Sequence, residues 1–227
     1  MNLGVLFTGG KDSTYASFLA SKQNTIKCLI NADSENKDSY MFHTVGAKLL
    51  EKQAETMRLP LERFFTEGEK EKELRDLEDF LIAMKKKYKL EGIVSGAIAS
   101  EYQLNRIKTI LDRTGLKSLT PLWHTNVHVY LEDFIREGFR AIIISVSADG
   151  LDTSWLGKEI NEENLLKLKI LSEKYKFHLG FEGGEAETAV LDGPIFDKRI
   201  SVLKSRVIDE GNKHYLDIED AVLVDKN

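Results

Sequence analysis

Short apolar runs alternate with amphipathic stretches through the first half of this sequence. The runs Leu3–Thr8 and Ile26–Ala32 show no regular exchange of apolar and polar residues, which is typical of strands covered on both faces of a sheet. Leu61–Thr66 and Gly92–Ser95 predict two further strands. The intervening segments carry apolar residues at every third or fourth position and are predicted to be helices: Asp12–Lys22, Phe42–Met57, Glu67–Tyr88 and Tyr102–Thr114.

This order of elements favours parallel strands joined by right-handed crossovers, which gives a three-layer α/β fold. The pattern changes near Lys117. Beyond it we predict strands at Leu119–Leu122 and Phe139–Val146, helices at Val129–Glu137 and Leu165–Tyr175, and a hairpin with arms Arg199–Asp209 and His214–Val224 around the turn sequence Glu210–Lys213. We therefore expect an α/β nucleotide-binding domain over residues 1–116 and a smaller mixed α+β domain over residues 117–227.

Composition and charge narrow the class of protein. With 227 residues, of which 42% are hydrophobic, the chain can bury a core without disulfides. Cys28 is the only cysteine, which excludes a disulfide scaffold and a cysteine zinc cluster. The formal net charge of −5 makes a nucleic-acid partner unlikely on composition. The first apolar run ends at Thr8, too early for a signal peptide or a membrane span, so we expect a cytoplasmic protein with no membrane partner.

The segment Thr8-Gly9-Gly10-Lys11-Asp12-Ser13 lies directly between the first predicted strand and the first predicted helix. Its hydroxyls, its glycines and the amino end of the helix offer donors that can surround a phosphate, and Lys11 adds a positive charge. Asp12 suits a divalent cation or a helix cap. Neither the P-loop nor the dinucleotide fingerprint is present, and a plain tight turn is the alternative.

Other polar or small residues follow predicted strands, where ligands of open parallel sheets bind. Ser95, Gly96 and Ala97 end the fourth strand and can admit a nucleotide backbone, with Tyr102, Gln103 and Arg106 at the mouth of the site. Ala32 and Asp33 end the second strand and are weaker candidates for contacts with adenosine. The alternatives are an ordinary strand-to-helix turn and a capped loop.

The Thr8–Ser13 segment resembles the loop of the PP-loop, or N-type, ATP pyrophosphatases, Ser-Gly-Gly-x-Asp-Ser/Thr, with Thr8 in place of the usual serine. Further stretches are similar to the diphthine–ammonia ligase family: Ser95–Gln103 with Arg106, Pro121–Trp123, Gly150–Asp152 with Trp155–Gly157, and Gly180–Thr188 with Leu191–Phe196. The family pattern Gly-Glu-Gly-Gly-Glu is altered at its start, because Phe181 lies between Gly180 and Glu182.

This resemblance implies a HUP-like (adenine nucleotide alpha hydrolase-like) fold and the cofactors ATP and Mg²⁺, with Asp12 as a metal ligand. The family transfers AMP from ATP to the carboxylate of diphthine on elongation factor 2, and ammonium then displaces AMP to give diphthamide and AMP, with pyrophosphate released. Thr8–Ser13 would hold the β- and γ-phosphates, and Lys11 would stabilise the leaving pyrophosphate. The partners implied are elongation factor 2 carrying diphthine and ammonium, and a homodimer is left open.

The glycine-rich segment from Glu182 to Glu187 has two functional interpretations and one structural alternative. Glu182 or Glu185 can hold ammonium and take its proton, or these carboxylates can contact the trimethylammonium of diphthine. The residues expected to contact the substrate here are Gly183, Gly184, Glu187 and Thr188. The alternative is a surface turn.

Two rival functions remain at this point. The first is a tRNA-modifying PP-loop enzyme, which the acidic charge balance and the single cysteine disfavour. The second is a non-catalytic ATP-binding module of the universal stress type, for which the Lys11–Asp12 pair is unexpected. Cys28 lies in a predicted buried strand, so free ammonium is favoured over a glutaminase as the nitrogen source.

Overall fold

The computed structural model describes residues 1–34, 47–66, 70–98, 101–211 and 213–226, without the side chains of residues 33, 34, 47, 48, 66, 70–74 and 101–104. The described residues form two compact units. Residues 1–8, 12–34 and 58–123 belong to the first unit, apart from these gaps, and residues 9–11, 47–57 and 124–226 to the second. Each unit has its own sheet.

The described residues contain nine strands, in chain order β1 (Asn2–Leu6), β2 (Thr25–Ser34), β3 (Leu61–Thr66), β4 (Gly92–Val94), β5 (Lys117–Leu119), β6 (Arg140–Val146), β7 (Ala186–Asp192), β8 (Lys198–Asp209) and β9 (His214–Asp225). The six α-helices among the described residues are α1 (Lys11–Ser21), α2 (Ala47–Thr56), α3 (Lys70–Tyr88), α4 (Glu101–Thr114), α5 (Val127–Arg136) and α6 (Glu162–Tyr175). None of the described helices is long and apolar enough to cross a membrane.

The first unit is built on a parallel sheet with the strand order β3-β2-β1-β4-β5. The chain moves outward from β1 to β3 and then crosses to β4 on the other side of β1. Right-handed crossovers in opposite directions place α1 on the face opposite α4. The prediction of a three-layer α/β fold is confirmed, and the change of direction creates a switch point between β1 and β4.

The core of this unit shows why the apolar runs became buried strands. On one face, Ile30 of β2 and Ile93 of β4 pack with Leu77 and Leu81 of α3 and Leu111 of α4, and all five are almost completely buried. Each such side chain contributes about 1.5–3 kcal/mol by leaving water. The amphipathic pattern predicted for the segment around α3 is confirmed where the structure describes it, because Leu77, Leu81 and Met84 face this core.

The second unit contains an antiparallel sheet in the order β7-β6-β9-β8. The predicted terminal hairpin is confirmed as β8 and β9, which pair from Lys198↔Asp225 to Asp209↔His214. Its turn is closed by the Glu210 N–H, which donates to the Lys213 carbonyl at 3.0 Å. Helix α2 belongs to this unit and packs on β8 and β9.

Two expectations about strands were wrong in detail. The strand predicted at Leu119–Leu122 is β5, which ends at Leu119, because Pro121 sits in a turn closed by the Trp123 N–H and the Thr120 carbonyl at 3.0 Å. The sequence analysis also missed β7, whose first residues were interpreted as the end of a glycine-rich loop. Its partner β6 covers one edge, and such long-range pairing leaves no local signal.

Candidate active site

The two ends of the loop between β1 and α1 (Thr8–Ser13, the β1–α1 loop) belong to the first unit and are bonded to each other. The Thr8 N–H donates to Ser13 Oγ at 3.2 Å, and the two hydroxyl oxygens are also 3.2 Å apart. Thr8 is exposed and Asp12 is half-buried, and Asp12 lies in the first turn of α1. The amino end of a helix is where backbone N–H groups attract phosphates.

The end of β4 lies against this loop. A Cβ added to Gly96 would lie 2.7 Å from the carbonyl carbon of Asp12 and 2.7 Å from the nitrogen of Ser13. Only glycine allows the two backbones to approach so closely. Because β1 and β4 are neighbours in the parallel sheet, the expectation that these two strand ends adjoin is confirmed.

Ser95, at the same strand end, has a buried hydroxyl oxygen with no hydrogen-bond partner among the described residues. Leaving such a group unpaired costs about 1–3 kcal/mol, and a bound ligand would relieve that cost. The unpaired Ser95 hydroxyl therefore fits a polar ligand at the switch point. Ala97, in the same segment, is half-buried.

The structure describes the side chains of only some of the remaining residues predicted near the nucleotide. Ala32 is buried in β2, next to Asn31, whose amide nitrogen donates to the Phe7 carbonyl at 2.9 Å. Arg106 is half-buried on α4. The side chains of Asp33, Tyr102 and Gln103 lie outside the described residues, so their predicted roles stay predictions.

In the second unit, Gly9–Lys11 runs along strand β7. The Val190 N–H donates to the Gly9 carbonyl at 3.0 Å, and the Lys11 N–H donates to Thr188 Oγ1 at 3.1 Å. Thr188 was predicted to contact the substrate; in the structure its buried hydroxyl accepts from the β1–α1 loop.

Gln53 of α2 hydrogen-bonds both the β1–α1 loop and β7. The sequence analysis missed this residue. Its amide nitrogen donates to the carbonyls of Gly9 and Val190, both at 2.8 Å. Gly9 has φ +76°, and a Cβ there would lie 2.2 Å from Gln53 Oε1. The sequence did contain a signal. Gln53 lies four positions after Leu49 and three after Leu50, so a polar residue continues an apolar helical stripe.

Lys11 belongs to the second unit and is buried. Its side chain is 1% exposed, its Nζ donates to the Gly180 carbonyl at 2.7 Å, and it lies 5.2 Å from the centre of the Phe181 ring. The role predicted for its charge on a leaving pyrophosphate stays a prediction.

The segment Gly180–Glu185 (the carboxylate loop) is shaped by its own glutamate. The Glu185 carboxylate accepts the N–H of His178 at 2.9 Å and that of Gly183 at 2.8 Å. The Gly184 N–H donates to the Phe181 carbonyl at 3.2 Å, and the Ser147 hydroxyl donates to the Gly184 carbonyl at 2.7 Å. The segment therefore forms a turn, which Glu185 stabilises through two hydrogen bonds.

The other two carboxylates of this region have different settings. Glu182 is half-buried within the carboxylate loop. Glu187, on β7, forms an ion pair with Lys213, whose Nζ lies 3.0 Å from Glu187 Oε1. Glu185 is therefore bonded to two backbone N–H groups, whereas Glu187 pairs with the Lys213 side chain and Glu182 is half-buried.

No cluster of three or more His, Cys, Asp or Glu residues suited to a metal ion occurs in the part of the chain that the structure describes. Mg²⁺ is commonly held by one or two carboxylates together with substrate phosphates and water. Asp12 lies in the first turn of α1, and its predicted role as a Mg²⁺ ligand stays a prediction.

Cys28 is unsuited to nucleophilic chemistry. It is completely buried in β2, and burial, reinforced by the nearby charge of Glu62, raises the pKa of the thiol to about 12. Since the thiolate is the nucleophile, this thiol is inert near neutral pH.

Comparisons with known proteins extend over nearly the whole chain. Residues 1–118 match the diphthamide synthase N-terminal domain, and residues 126–224 match the diphthamide synthase C-terminal domain. The diphthine–ammonia ligase of Mus musculus is 37% identical over 229 residues, covering 92% of this chain and 85% of that protein. The diphthine–ammonia ligase of Schizosaccharomyces pombe is 34% identical and covers 96% of this chain and 39% of that longer protein.

Among solved structures, a predicted subunit of a tRNA methyltransferase from Methanocaldococcus jannaschii aligns with a TM-score of 0.43 at 17% identity, over 86% of this chain and 98% of that one. The sequence relatives are far more specific than this structural likeness. The motif-based resemblance is confirmed by them, and the chain belongs to the diphthine–ammonia ligase family.

Proposed function

We propose that this protein is an AMP-forming ATP-dependent ligase that amidates diphthine on elongation factor 2. The carboxylate of diphthine attacks the α-phosphorus of ATP and releases pyrophosphate, and ammonia then displaces AMP to give diphthamide. The observation that carries the proposal is 37% identity to a diphthine–ammonia ligase across 92% of the chain. This reaction is favoured over the tRNA-modifying and stress-protein alternatives. Because the substrate is a translation factor, we place the reaction in the cytoplasm.

ATP is assigned to the carboxyl ends of β1 and β4. The β1–α1 loop would receive the β- and γ-phosphates through its hydroxyls, backbone N–H groups and the amino end of α1. Ser95, Gly96 and Ala97 would border the α-phosphate or the adenosine, where the unpaired Ser95 hydroxyl is available. Adenylation supplies a good leaving group, which a free carboxylate lacks.

Asp12 is the residue we assign to Mg²⁺. Its half-buried carboxylate lies two positions after Gly10 and would orient the ion beside the phosphates. Replacing Asp12 by Asn would keep the shape and remove the charge.

Ammonium and the trimethylammonium group of diphthine are assigned to the second unit. Both are cations, and the carboxylate loop and β7 carry Glu182 and Glu187 there. Because both oxygens of Glu185 accept backbone N–H groups, Glu182 is the stronger candidate for the group that takes the proton of ammonium.

The test is a reconstituted reaction of the protein with ATP, Mg²⁺, ammonium and diphthine-bearing elongation factor 2. We expect diphthamide, AMP and pyrophosphate in equal amounts. Replacing ammonium by glutamine should abolish amide formation, because Cys28 cannot serve a glutaminase, and omission of Mg²⁺ should stop AMP release. ADP as the product, or AMP without a new amide, would contradict the proposal.

A further inference from the structure

The burial of Lys11 is unusual for a residue in a loop expected to contact phosphates. Its side chain is 1% exposed and ranks among the largest fully buried side chains of the described chain. Lysine is almost never so buried unless the ammonium is paired, because desolvation of an unpaired charge is very unfavourable. The groups around its Nζ therefore indicate what this charge does.

Two of those groups come from the start of the carboxylate loop. The Gly180 carbonyl accepts from Nζ at 2.7 Å, a charge-assisted hydrogen bond, and the Phe181 ring adds a cation–π contact at 5.2 Å. The backbone N–H of Lys11 donates to Thr188, just beyond the end of the same loop. One residue thus fixes the segment before and after its turn.

The backbone that Lys11 holds needs support. Phe181 has φ +64°, in the left-handed region that side chains rarely adopt. The family pattern Gly-Glu-Gly-Gly-Glu has glycine immediately before its first glutamate, and in this chain that position is Phe181. Hydrogen bonding of the Gly180 carbonyl holds the peptide plane that precedes this strained residue, and the ring contact holds its side chain.

We propose that Lys11 is a positioning residue, whose ammonium fixes the carboxylate loop and thereby the binding of the amide acceptor and ammonium. The phosphates of ATP are then bound by the hydroxyl and backbone donors of the β1–α1 loop. This inference rests on the proposed function. It gives the Lys11 charge the role of fixing the loop that binds the acceptor, instead of stabilising the leaving pyrophosphate.

The experiment compares wild type with Lys11→Met, which keeps the chain length and removes the charge. The KM for ATP, the KM for diphthine-bearing elongation factor 2 and kcat are measured separately. We expect the acceptor KM to rise about ten-fold, as loss of a charge-assisted hydrogen bond predicts, while the KM for ATP changes less than about three-fold. Lys11→Arg should recover part of the loss, since a guanidinium can donate to the same carbonyl and stack on the same ring.

A second readout needs no turnover. Hydrogen exchange of the Gly183 and Gly184 amides, which are bonded within the carboxylate loop, should accelerate about ten-fold in Lys11→Met at equal global stability. If Lys11→Met fails to fold, Phe181→Leu, which removes the ring face alone, should give a smaller change in the same direction.

The outcomes separate the two hypotheses. An increased KM for ATP with an unchanged acceptor KM, or unchanged exchange at Gly183 and Gly184, would overturn the positioning role. If wild type forms no diphthamide, the proposed function fails, while the exchange measurement still decides whether Lys11 fixes the loop.

Discussion

The β1–α1 loop and the carboxylate loop both contain two adjacent glycines followed within two positions by an acidic residue, yet they use these residues differently. In the first, Gly9 and Gly10 precede a helix, and Asp12 stays half-buried at its start. In the second, Glu185 accepts two backbone N–H groups and closes the turn. Composition alone therefore does not show whether a carboxylate shapes its own loop, as Glu185 does.

The largest effect is expected for Gly96→Ala, which tests the nucleotide side of this comparison. The new Cβ would lie 2.7 Å from two backbone atoms at the start of α1, so one backbone must move. A displacement of this kind costs about 100-fold in kcat/KM for ATP and about 1–3 kcal/mol in the free energy of unfolding. Steady-state kinetics and denaturant unfolding measure the two quantities.

Gly4→Ala is the matched control for that change. Its added Cβ would meet only side-chain carbons of Leu90, Ile93 and Ile30, at 3.1–3.2 Å. We expect a smaller loss of stability and no specific loss of ATP affinity. Equal kinetic effects in the two variants would remove Gly96 from the nucleotide site.

Gln53→Ala examines how the β1–α1 loop is attached to β7. The change removes two buried hydrogen bonds, to the carbonyls of Gly9 and Val190, and should lower the free energy of unfolding by about 2–3 kcal/mol and raise the KM for ATP. Thr56→Val is the control on the same helix, because the Thr56 hydroxyl bonds the backbone of Lys198 instead. If both variants alter the KM for ATP equally, the effect comes from α2 as a whole.

Glu185→Gln examines the second loop. An amide can accept one of the two backbone N–H groups but places its own NH₂ against the other, so we expect a loss of about 1–2 kcal/mol in stability. Amide formation should slow while the KM for ATP is kept. Glu182→Gln is the paired variant, expected to alter ammonium saturation with a smaller loss of stability than Glu185→Gln. Equal stability losses in both would contradict the distinction between the two glutamates.

The smallest effect at neutral pH concerns Cys28. Its pKa is raised from the ordinary 9.0 to about 12. The folded state therefore binds this proton more tightly than the unfolded state. The resulting contribution to stability is complete below pH 9 and is lost between about pH 9 and pH 12, at up to about 1.4 kcal/mol per pH unit.

Unfolding of wild type and Cys28→Ala across this pH range isolates the thiol, since other titrating groups are common to both proteins. The difference between the two should grow in favour of Cys28→Ala as the pH rises. Rapid reaction of native Cys28 with a thiol reagent at pH 8 would contradict its burial.

Sequence reasoning went furthest where the pattern is local. The apolar runs around Val5 and Ile30 became buried parallel strands, and the order strand, hydroxyl, Gly-Gly, lysine, carboxylate and hydroxyl predicted the loop between β1 and α1. The turn before His214 predicted the terminal hairpin. These features depend on residues close to one another in the chain, so their spacing carries the information.

Tertiary structure decided what depends on distant residues. It showed that Gln53 bonds Gly9, 44 positions away, and that the Lys11 ammonium bonds Gly180, 169 positions away. It also showed that Glu185 is committed to its own backbone. Whether a polar side chain faces a ligand or satisfies a buried backbone group depends on which acceptors the fold brings to it, and sequence spacing does not contain that information.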